Sequence, residues 1–415
     1  MLDILIIAHF TQVPGEQGNG RFDYIANGIS SVDANVEVVT TEFSHRNKEF
    51  RRLSNTQVNG LKYKLTLLYE PGYKDNISFS RMYSHLVLSF SLKKYLKERK
   101  FPSVIYCSVP SLSTAYVTTK YCKKHKIPLL IDIQDLWPEA FSMTFKVPIL
   151  TQLLFFPLRK EADFIYSNAD AIFAVSETYA KRARKVNCKT NEIFSVFLGT
   201  ELKYFDQIEK STSITKTAEE FWIVYIGTLS YSYDLITVID ALEIIKKKGI
   251  NNFKFIVMGD GTLKSKFEDY ADKKEVPVMF TGRLNYEKMV SILKICDIAV
   301  NPIKPGSAGS IINKVGDYAA AGLAVLNTQE SIEYRNLIDQ YNAGINCLNS
   351  NSNDLADKII RLYSDDKQRL LMGRNSRILA EERFNRQVTY SKIFELIISK
   401  AVLSSNMRIE IENRK

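Results

Sequence analysis

FWIVYIG, residues 221–227, is a run of six apolar side chains that ends in a glycine. The pattern returns as FKFIVMG at residues 253–259 and as VMFTG at residues 278–282. Short apolar runs bounded by glycine predict buried strands of a parallel sheet, each followed by a turn into a helix. Ligands bind such sheets at the carboxyl ends of the strands, where glycine lets the backbone approach a phosphate. We therefore predict ligand contacts at Gly227, Thr228, Gly282 and Arg283, although each turn taken alone is more typical of a plain strand-to-helix connection.

The same alternation of strands and helices extends over most of the chain, which is the signature of parallel sheets covered by helices. Apolar runs predict further strands at residues 4–8, 36–40, 63–69, 104–107, 129–133, 171–175, 193–196, 298–301, 324–326 and 345–348. Helical spacing predicts helices at residues 79–97, 113–125, 177–186, 235–247, 263–273, 286–295 and 314–321. The sequence thus predicts an α/β fold.

Two domains are expected, because a chain of 415 residues exceeds the size at which one hydrophobic core stops growing. A linker is predicted at residues 201–217, where Gln, Lys, Ser and Thr replace the apolar pattern. It separates an N-terminal domain, residues 1–200, from a C-terminal domain, residues 201–384. The pattern after Asp354 is helical, and the last helix, at about residues 385–415, is expected to pack back on the first domain.

Composition narrows the classes of partner and compartment. The 56 basic and 46 acidic residues give a net charge of +10, which favours anionic partners such as phosphates, anionic lipid or nucleic acid. Five widely spaced cysteines without a CxxC pair are typical of reduced thiols in a reducing compartment. The apolar start fits a first strand better than a signal peptide, and the longest apolar run, residues 147–158, is too short to span a bilayer. We therefore expect a cytoplasmic protein that does not cross the membrane.

The sharpest ligand signal is SIINKVGDYAAAGLAVL, residues 310–326. A loop rich in small residues precedes a helix that begins near Asn313, so backbone N–H groups and the positive end of the helix dipole can meet a diphosphate. Asp317 lies about one turn into this helix, where a carboxylate can accept both hydroxyls of a ribose, and Lys314 adds a positive charge for a phosphate. A solvated helix face over a buried alanine-rich face is the alternative. The predicted donor contacts of this segment are Gly309, Ser310, Ile311, Asn313, Lys314 and Asp317.

Two segments of the first half carry further candidates. GEQGNGR, residues 15–21, follows the first strand and predicts an anion-facing loop with Gly18, Asn19, Gly20 and Arg21. IDIQDLWPEAF, residues 131–141, ends a strand with Asp132, Asp135 and Glu139 around Trp137. Acidic groups beside an aromatic ring at a strand end can orient sugar hydroxyls or act as a base, and a capped turn is an equally good interpretation.

Other motifs are missing or open to two interpretations. The sequence contains no DxD, HExxH, P-loop or GxSxG motif, and its four histidines show no ligand spacing. A basic cluster at one helix end fits either a solvated helix terminus or docking on anionic lipid. It consists of Lys93, Lys94, Lys97, Arg99 and Lys100. No aromatic-plus-basic motif for RNA is present, so nucleic acid is not an expected partner.

Taken together, these segments resemble retaining glycosyltransferases of family 4, in the subgroup that builds bacterial surface polysaccharide. The resemblance covers nearly the whole chain. It rests on the order of GNGRF, EPGYKDN with SFSRMYSH, IDIQDLWPEAF, ADAIFAVSE, VFLGTEL, YIGTLSYSYDL, MGDGTL, FTGRL, CDIAVNPI and NKVGDYAAAGLAV.

The resemblance implies the B-type glycosyltransferase fold, in which two Rossmann-like domains face each other across a cleft. Its C-terminal domain would bind the nucleotide sugar, with UDP as the expected nucleotide and its base near residues 281–284. The sugar would lie between residues 15–20 and 305–310. The N-terminal domain would bind a lipid-linked or growing polysaccharide acceptor of capsule, O-antigen or exopolysaccharide synthesis. Such a protein would act at the inner face of the plasma membrane. Transfer would retain the anomeric configuration and need no metal or other cofactor.

Several positions depart from the family pattern. The donor motif of the family has two glutamates separated by seven residues, and the second holds the ribose. Asp317 matches the second glutamate, whereas Gly309 occupies the position of the first. Thr228 and Tyr233 stand where Arg and Lys are usual, so the phosphate contacts are predicted to come from Lys314, Arg283 and loop amides. Gln134 or Asp135 replaces the usual histidine of the N-terminal domain. The resemblance therefore makes Asp135, Gln134 and Lys314 the catalytic candidates.

Two other functions remain as alternatives. One is a nucleotide-sugar epimerase on the same architecture, and the other is a non-catalytic protein that binds polyanions through its positive charge.

Overall fold

The computed structural model describes residues 1–16, 20–31, 33–76, 78–139, 153–210, 214–307 and 311–413, with side chains to Arg408. The chain forms two compact units. The first comprises Met1–Val196 with Tyr390–Lys415, and the second comprises Phe197–Thr389. Each unit is an α/β domain with its own parallel sheet, which confirms the predicted fold class.

The first unit contains a seven-stranded parallel sheet. Its strands are β1 (Leu2–Ile7), β2 (Ala34–Thr41), β5 (Lys64–Leu68), β6 (Val104–Val109), β7 (Leu129–Ile133), β8 (Ala171–Ala174) and β9 (Ile193–Ser195), and a small hairpin is formed by β3 (Phe43–Ser44) and β4 (Glu49–Phe50). The strand order is β5-β2-β1-β6-β7-β8-β9, so the winding reverses direction between β1 and β6. The helices between these strands are α1 (Arg21–Ile29), α2 (Asn55–Asn59), α3 (Phe79–Glu98), α4 (Leu112–His125), α5 (Phe156–Asn168) and α6 (Glu177–Arg184).

The second unit contains a six-stranded parallel sheet. Its strands are β10 (Phe221–Ile226), β11 (Phe253–Met258), β12 (Val278–Gly282), β13 (Ile298–Asn301), β14 (Ala324–Asn327) and β15 (Gly344–Asn346). The order is β12-β11-β10-β13-β14-β15, so the winding reverses between β10 and β13. Apolar residues pack on both faces of the sheet. In β10, for example, Trp222 and Val224 belong to the core on one face, and Ile223 and Tyr225 belong to the core on the other.

The second unit contains nine α-helices within its described residues. They are α7 (Leu202–Gln207), α8 (Leu235–Lys247), α9 (Lys264–Lys273), α10 (Tyr286–Leu293), α11 (Lys314–Ala320), α12 (Ile332–Tyr341), α13 (Ser352–Ser364), α14 (Asp366–Leu379) and α15 (Arg386–Thr389), with a π-helical turn at Ala380–Phe384. Within the described ranges, no helix combines the length and the apolarity that a bilayer crossing requires.

The linker differs from the one expected at residues 201–217. The chain passes from the first unit to the second between Val196 and Phe197, and helix α7 occupies the start of the expected linker. Leu202 and Phe205 of this helix are buried in the core of the second unit. Two apolar residues among polar neighbours are too weak a pattern to reveal a short helix from sequence.

The last helix, α16 (Ser391–Asn413), belongs to the first unit. It lies against α1, β1 and β6, and its residues Ile393, Leu396 and Ile397 are buried there. The chain therefore leaves the first unit once and returns to it at Tyr390.

Candidate functional site

In the second unit, the reversal between β10 and β13 marks the crevice where open α/β sheets bind their ligands. The turns after β10, β11 and β12 meet at this edge. The N–H of Gly227 donates to the carbonyl of Met258 at 3.0 Å, and the N–H of Gly259 donates to the carbonyl of Gly282 at 2.9 Å. The three glycine turns predicted from sequence are thus one connected structure.

Close packing explains why glycine stands at two positions of the turn after β11. A Cβ at Gly259 would lie 1.8 Å from the carbonyl oxygen of Gly227, and one at Gly261 would lie 2.3 Å from that of Leu229. The sequence attributed glycine to the approach of a phosphate, whereas these two glycines are required by the approach of neighbouring backbone. Gly227 and Gly282 adopt positive φ angles of 135° and 70°. Thr228 and Arg283 are exposed beside them, which leaves both side chains accessible from solvent.

Lys314, the first residue of α11, has an environment that is unusual for a lysine. Its side chain is buried, and its Nζ has no hydrogen-bond partner. The amine lies 4.0 Å from the ring centres of both Tyr225 and Tyr233, which hold it by cation–π attraction. A methyl group at Gly227 would lie only 3.2 Å from Nζ. Burial lowers the pKa of Lys314 well below its usual value, because a charged amine is costly away from water.

Asp317 lies one turn further along α11. Its Oδ1 accepts hydrogen bonds of 3.0 Å from the hydroxyls of Thr200 and Tyr286. Burial raises the pKa of Asp317 to about 6, although these two hydrogen bonds and the nearby Arg386 oppose the shift. Oδ1 of this carboxylate therefore already accepts from two hydroxyls of the protein.

The start of α11 differs in detail from the expected diphosphate cradle. The helix begins at Lys314 and follows Asn313, as predicted. The N–H groups of Val315 and Gly316 donate to the carbonyls of Ile312 and Asn313, so these two amides are already paired. Ile311 is buried and Asn313 is exposed, whereas Gly309 and Ser310 lie outside the described residues.

In the first unit, the structure corrects the expectation for the loop at residues 15–21. Arg21 is buried, and its guanidinium donates to both carboxylate oxygens of Asp132, at 2.7 and 3.1 Å. It also donates to the hydroxyl of Tyr390 at 2.8 Å. Arg21 therefore joins α1, the sheet and the residue that precedes the last helix, and its guanidinium pairs with a carboxylate of the protein itself. Gly20 has a φ of 67° and caps α1, while Gly18 and Asn19 lie outside the described residues.

The acidic candidates after β7 separate into different roles. Asp132 belongs to the buried pair with Arg21, and Glu139 pairs with Arg182 at 2.6 Å. Asp135 accepts a hydrogen bond of 3.3 Å from the hydroxyl of Tyr179, and burial raises its pKa. Gln134 donates to Asp132 at 3.5 Å. Asp135 is thus the member of this group whose raised pKa suits a proton acceptor.

A cluster that the sequence did not reveal lies at the carboxyl ends of the same sheet. Four rings and one guanidinium, here called the aromatic cluster, come from the ends of β1, β5 and β7 and from the start of α3. The His85 and Trp137 rings stack with centroids 5.8 Å apart, and Arg81 lies 4.6 Å from the centre of the Trp137 ring. The members are Phe10, Tyr73, Arg81, His85 and Trp137.

Two further histidines border the aromatic cluster. His9 is buried, and its Nε2 lies 3.1 Å from a carboxylate oxygen of Glu70. His45 bonds to the hydroxyl of Tyr73 through Nδ1. Burial and nearby Lys48 lower the pKa of His45 to about 3, and burial with nearby charges also lowers the pKa of His85, so both rings are neutral at physiological pH. The sequence signal that could have revealed these residues was their position, because His9 and Phe10 come two and three residues after the end of β1.

Within the described ranges, no three histidine, cysteine, aspartate or glutamate side chains are grouped as metal ligands.

Comparison with known proteins adds a family match in the second unit. Residues 206–378 match the family model described as "Glycosyl transferases group 1". Two curated relatives are uncharacterized glycosyltransferases of Methanocaldococcus jannaschii. MJ1069 is 23% identical over 57% of this chain, and MJ1178 is 24% identical over 51% of it. The chain spans 60% and 54% of the lengths of these two relatives.

Solved structures show the fold. HepE (Alr3699) from Anabaena, in complex with UDP, has a TM-score of 0.68 and 15% identity, with 96% of this chain and 100% of that chain covered. WaaG, a glycosyltransferase involved in lipopolysaccharide biosynthesis, has a TM-score of 0.64 and 15% identity, with 95% and 99% covered. The two parallel-sheet domains are those of the B-type glycosyltransferase fold.

Proposed function

We propose that this protein is a retaining glycosyltransferase that moves a sugar from a UDP-sugar to a lipid-linked or growing polysaccharide acceptor. The observation that carries the proposal is Lys314, a buried amine without a hydrogen-bond partner beside the glycine turns of the second unit. A buried amine is costly unless something offsets its charge. A diphosphate bound at this edge would do so.

The donor is proposed to bind in the second unit. Lys314 and the exposed Arg283 would pair with the phosphates, and Asp317 would accept the ribose hydroxyls. Support for UDP comes from HepE, whose structure was solved with UDP and with UDP-glucose. In the proposed reaction, the bond between the sugar's C1 and the diphosphate oxygen breaks, and C1 bonds to the acceptor oxygen on the same face. The acceptor hydroxyl passes its proton to the leaving diphosphate oxygen, on which negative charge accumulates as the bond breaks.

Lys314 would stabilise that charge, and the proposed reaction needs no metal. The loss of one preorganised charge-stabilising group typically costs ~3 kcal/mol of transition-state stabilisation, or about a hundredfold in rate.

The acceptor is proposed to bind in the first unit at the aromatic cluster. Aromatic rings with a few convergent polar groups are typical of ligand sites, and these lie at the strand ends where the winding reverses. Asp135 and Gln134 stay the predicted acceptor-side catalytic groups. Capsule, O-antigen or exopolysaccharide synthesis at the cytoplasmic face of an anionic membrane is the proposed setting, by analogy with WaaG.

The proposal is tested first by donor binding. A thermal-shift screen of sugar nucleotides should reveal one that stabilises the fold, because a ligand at about 100 times its Kd contributes ~2.7 kcal/mol. Lys314→Met should reduce that shift strongly. If no sugar nucleotide binds while nucleic acid binds in a salt-sensitive manner, the protein is a polyanion binder instead.

Product analysis then distinguishes the reactions. With donor alone, a transferase yields only slow hydrolysis, whereas an epimerase yields a new sugar nucleotide. The reaction should proceed unchanged in excess EDTA. Loss of activity that Mg²⁺ or Mn²⁺ restores would overturn the metal-independent mechanism.

A further inference from the structure

Helix α3 exposes large apolar side chains on the face that points away from its own core. The buried face consists of Ser84, His85, Leu88, Ser89, Leu92 and Leu96. The opposite face exposes a row that we call the apolar strip. Its members are Phe79 (91% exposed), Met82 (57%), Tyr83 (62%), Leu86 (51%) and Phe90 (66%).

The spacing of the apolar strip follows the turns of the helix. At the roughly 100° per residue of an α-helix, positions 79, 82, 83, 86 and 90 fall within an arc of about 100°, so all of them lie on one side of α3. At 1.5 Å per residue, the strip is about 16 Å long. Exposed apolar side chains that are contiguous over such a distance mark an interaction surface, whereas single ones are ordinary.

Lysines continue the same face after the strip ends. Lys93, Lys94 and Lys97 are exposed in the last turns of α3, and none has an ion-pair partner in the described part of the chain. We call these three the basic end. Arg99, which the sequence grouped with them, is directed elsewhere, because its guanidinium pairs with Asp3 and Glu37 at 3.0 and 3.3 Å.

We propose that the apolar strip and the basic end of α3 together form a docking surface for an anionic lipid bilayer. Aromatic and aliphatic side chains on one helix face can enter the boundary between headgroups and acyl chains. Lysines on the same face are attracted to anionic headgroups. The charge complementarity favours an anionic bilayer over an uncharged one, and the net charge of +10 acts in the same direction.

The docking surface and the aromatic cluster share the first turns of α3. Arg81 and His85 belong to the cluster, while Phe79, Met82 and Tyr83 belong to the apolar strip. The inference that docking brings a lipid-borne acceptor to the cluster rests on the proposed function. The docking itself does not, because it involves only the outer face of α3.

Vesicle binding tests the docking surface. The purified full-length chain is sedimented with phosphatidylcholine vesicles and with vesicles that also contain phosphatidylglycerol. We expect binding to the anionic vesicles only. Lys93→Gln/Lys94→Gln/Lys97→Gln should weaken that binding about 100-fold. Leu86→Ser/Phe90→Ser should weaken it at least about tenfold, because these side chains would no longer enter the apolar layer.

Matched controls exclude general effects of charge and polarity. Lys266→Gln/Lys273→Gln/Lys367→Gln removes the same charge from exposed positions of the second unit, and Ile332→Ser removes an exposed apolar side chain there. Both should bind vesicles like the unaltered protein. Circular dichroism and the thermal shift with sugar nucleotide should be unchanged in every variant, which separates a failure of docking from a failure of the proposed function.

Three results would overturn the docking surface. One is the absence of binding to anionic vesicles, and another is binding that survives both α3 variants. The third is a dimer in sedimentation analysis that Leu86→Ser/Phe90→Ser dissociates, since the strip would then bind a second copy of the chain.

Discussion

Tyr286 donates its hydroxyl hydrogen to the carboxylate of Asp317 across 3.0 Å, joining the start of α10 to the first turns of α11. Thr200 donates to the same oxygen. Burial raises the pKa of Asp317 to about 6, and the hydrogen bond to this carboxylate raises the pKa of Tyr286 further above the value that burial already gives it. If Asp317 holds the ribose as proposed, donor binding should depend on pH near 6.

Replacing Asp317 by asparagine should weaken donor binding. Hydrogen bonds to a charged group contribute ~1.5–3 kcal/mol, so the Kd for UDP should rise about 10- to 100-fold at pH 7.5, as measured by calorimetry. Asp272→Asn, at an exposed position of the same unit, is the control. An unchanged Kd in the Asp317 variant would refute the ribose contact.

The affinity for UDP-glucose should fall as the pH is lowered from 7.5 to 5. Protonation of Asp317 near its pKa of about 6 removes the negative charge of the carboxylate that would accept the ribose hydrogen bonds. UDP-glucose is the appropriate probe because its diphosphate carries no titrating group in this range. In Asp317→Asn, affinity should be nearly independent of pH over the same interval. A parallel pH dependence in both proteins would assign the effect to another group.

The raised pKa of Asp317 also predicts how the stability of the folded protein depends on pH. Stability should rise as the pH falls, whereas donor affinity should fall. The folded state holds the proton of Asp317 up to about pH 6, whereas the unfolded chain releases it at a lower pH. Folding therefore binds a proton between these values, and this term stabilises the protein as the pH falls through 6. The melting temperature of the unaltered protein relative to Asp317→Asn should accordingly be higher at pH 5 than at pH 7.5.

Lys314→Met should preserve or increase stability while it weakens donor binding. The buried amine has no hydrogen-bond partner, and a methionine fills a similar volume without the cost of burying a charge. Denaturation in urea should give a free energy of unfolding no lower than that of the unaltered protein. The Kd for UDP should rise at least about tenfold, which corresponds to ~1.4 kcal/mol. Lys273→Met, at an exposed position, is the control, and an unchanged Kd for Lys314→Met would exclude its phosphate contact.

Arg21→Met should destabilise the first unit. The substitution leaves the carboxylate of Asp132 buried without its bidentate partner, which typically costs ~3–5 kcal/mol. Arg21→Met/Asp132→Asn removes both charges and should recover part of the loss. The free energy of unfolding in urea measures both. If the single variant kept full stability and lost only ligand binding, Arg21 would be the anion-facing residue that its sequence position suggested.

Gly259→Ala should disrupt the glycine turns. The added methyl group would meet the carbonyl oxygen of Gly227 at 1.8 Å, so the turn after β11 has to move away from the turn after β10. We expect a lower melting temperature and loss of the thermal shift with UDP. Gly249→Ala, where the φ is also positive but no atom lies within 4 Å, should cost only ~1–2 kcal/mol. Equal losses in both variants would contradict the close-packing argument.

The sequence by itself determined the two sheets and the order of their elements. Strands β7, β10, β11 and β13 and helix α8 begin and end where the apolar pattern predicted. The same pattern located the start of α11 and placed Asp317 one turn into it. These features are local, because the periodicity of apolar side chains reflects which face of one strand or helix is buried.

Only the tertiary structure decided the roles of the polar side chains. Arg21 and Asp132 are 111 positions apart, and nothing near either of them indicates the buried pair that they form. Likewise, the aromatic cluster gathers residues from three strand ends and one helix, and Lys314 lies against Tyr225 of β10 and Tyr233 of the segment that follows this strand. A polar side chain acquires its partner, its burial and its pKa from residues that are distant in sequence, so the local pattern that predicts a strand carries no information about them.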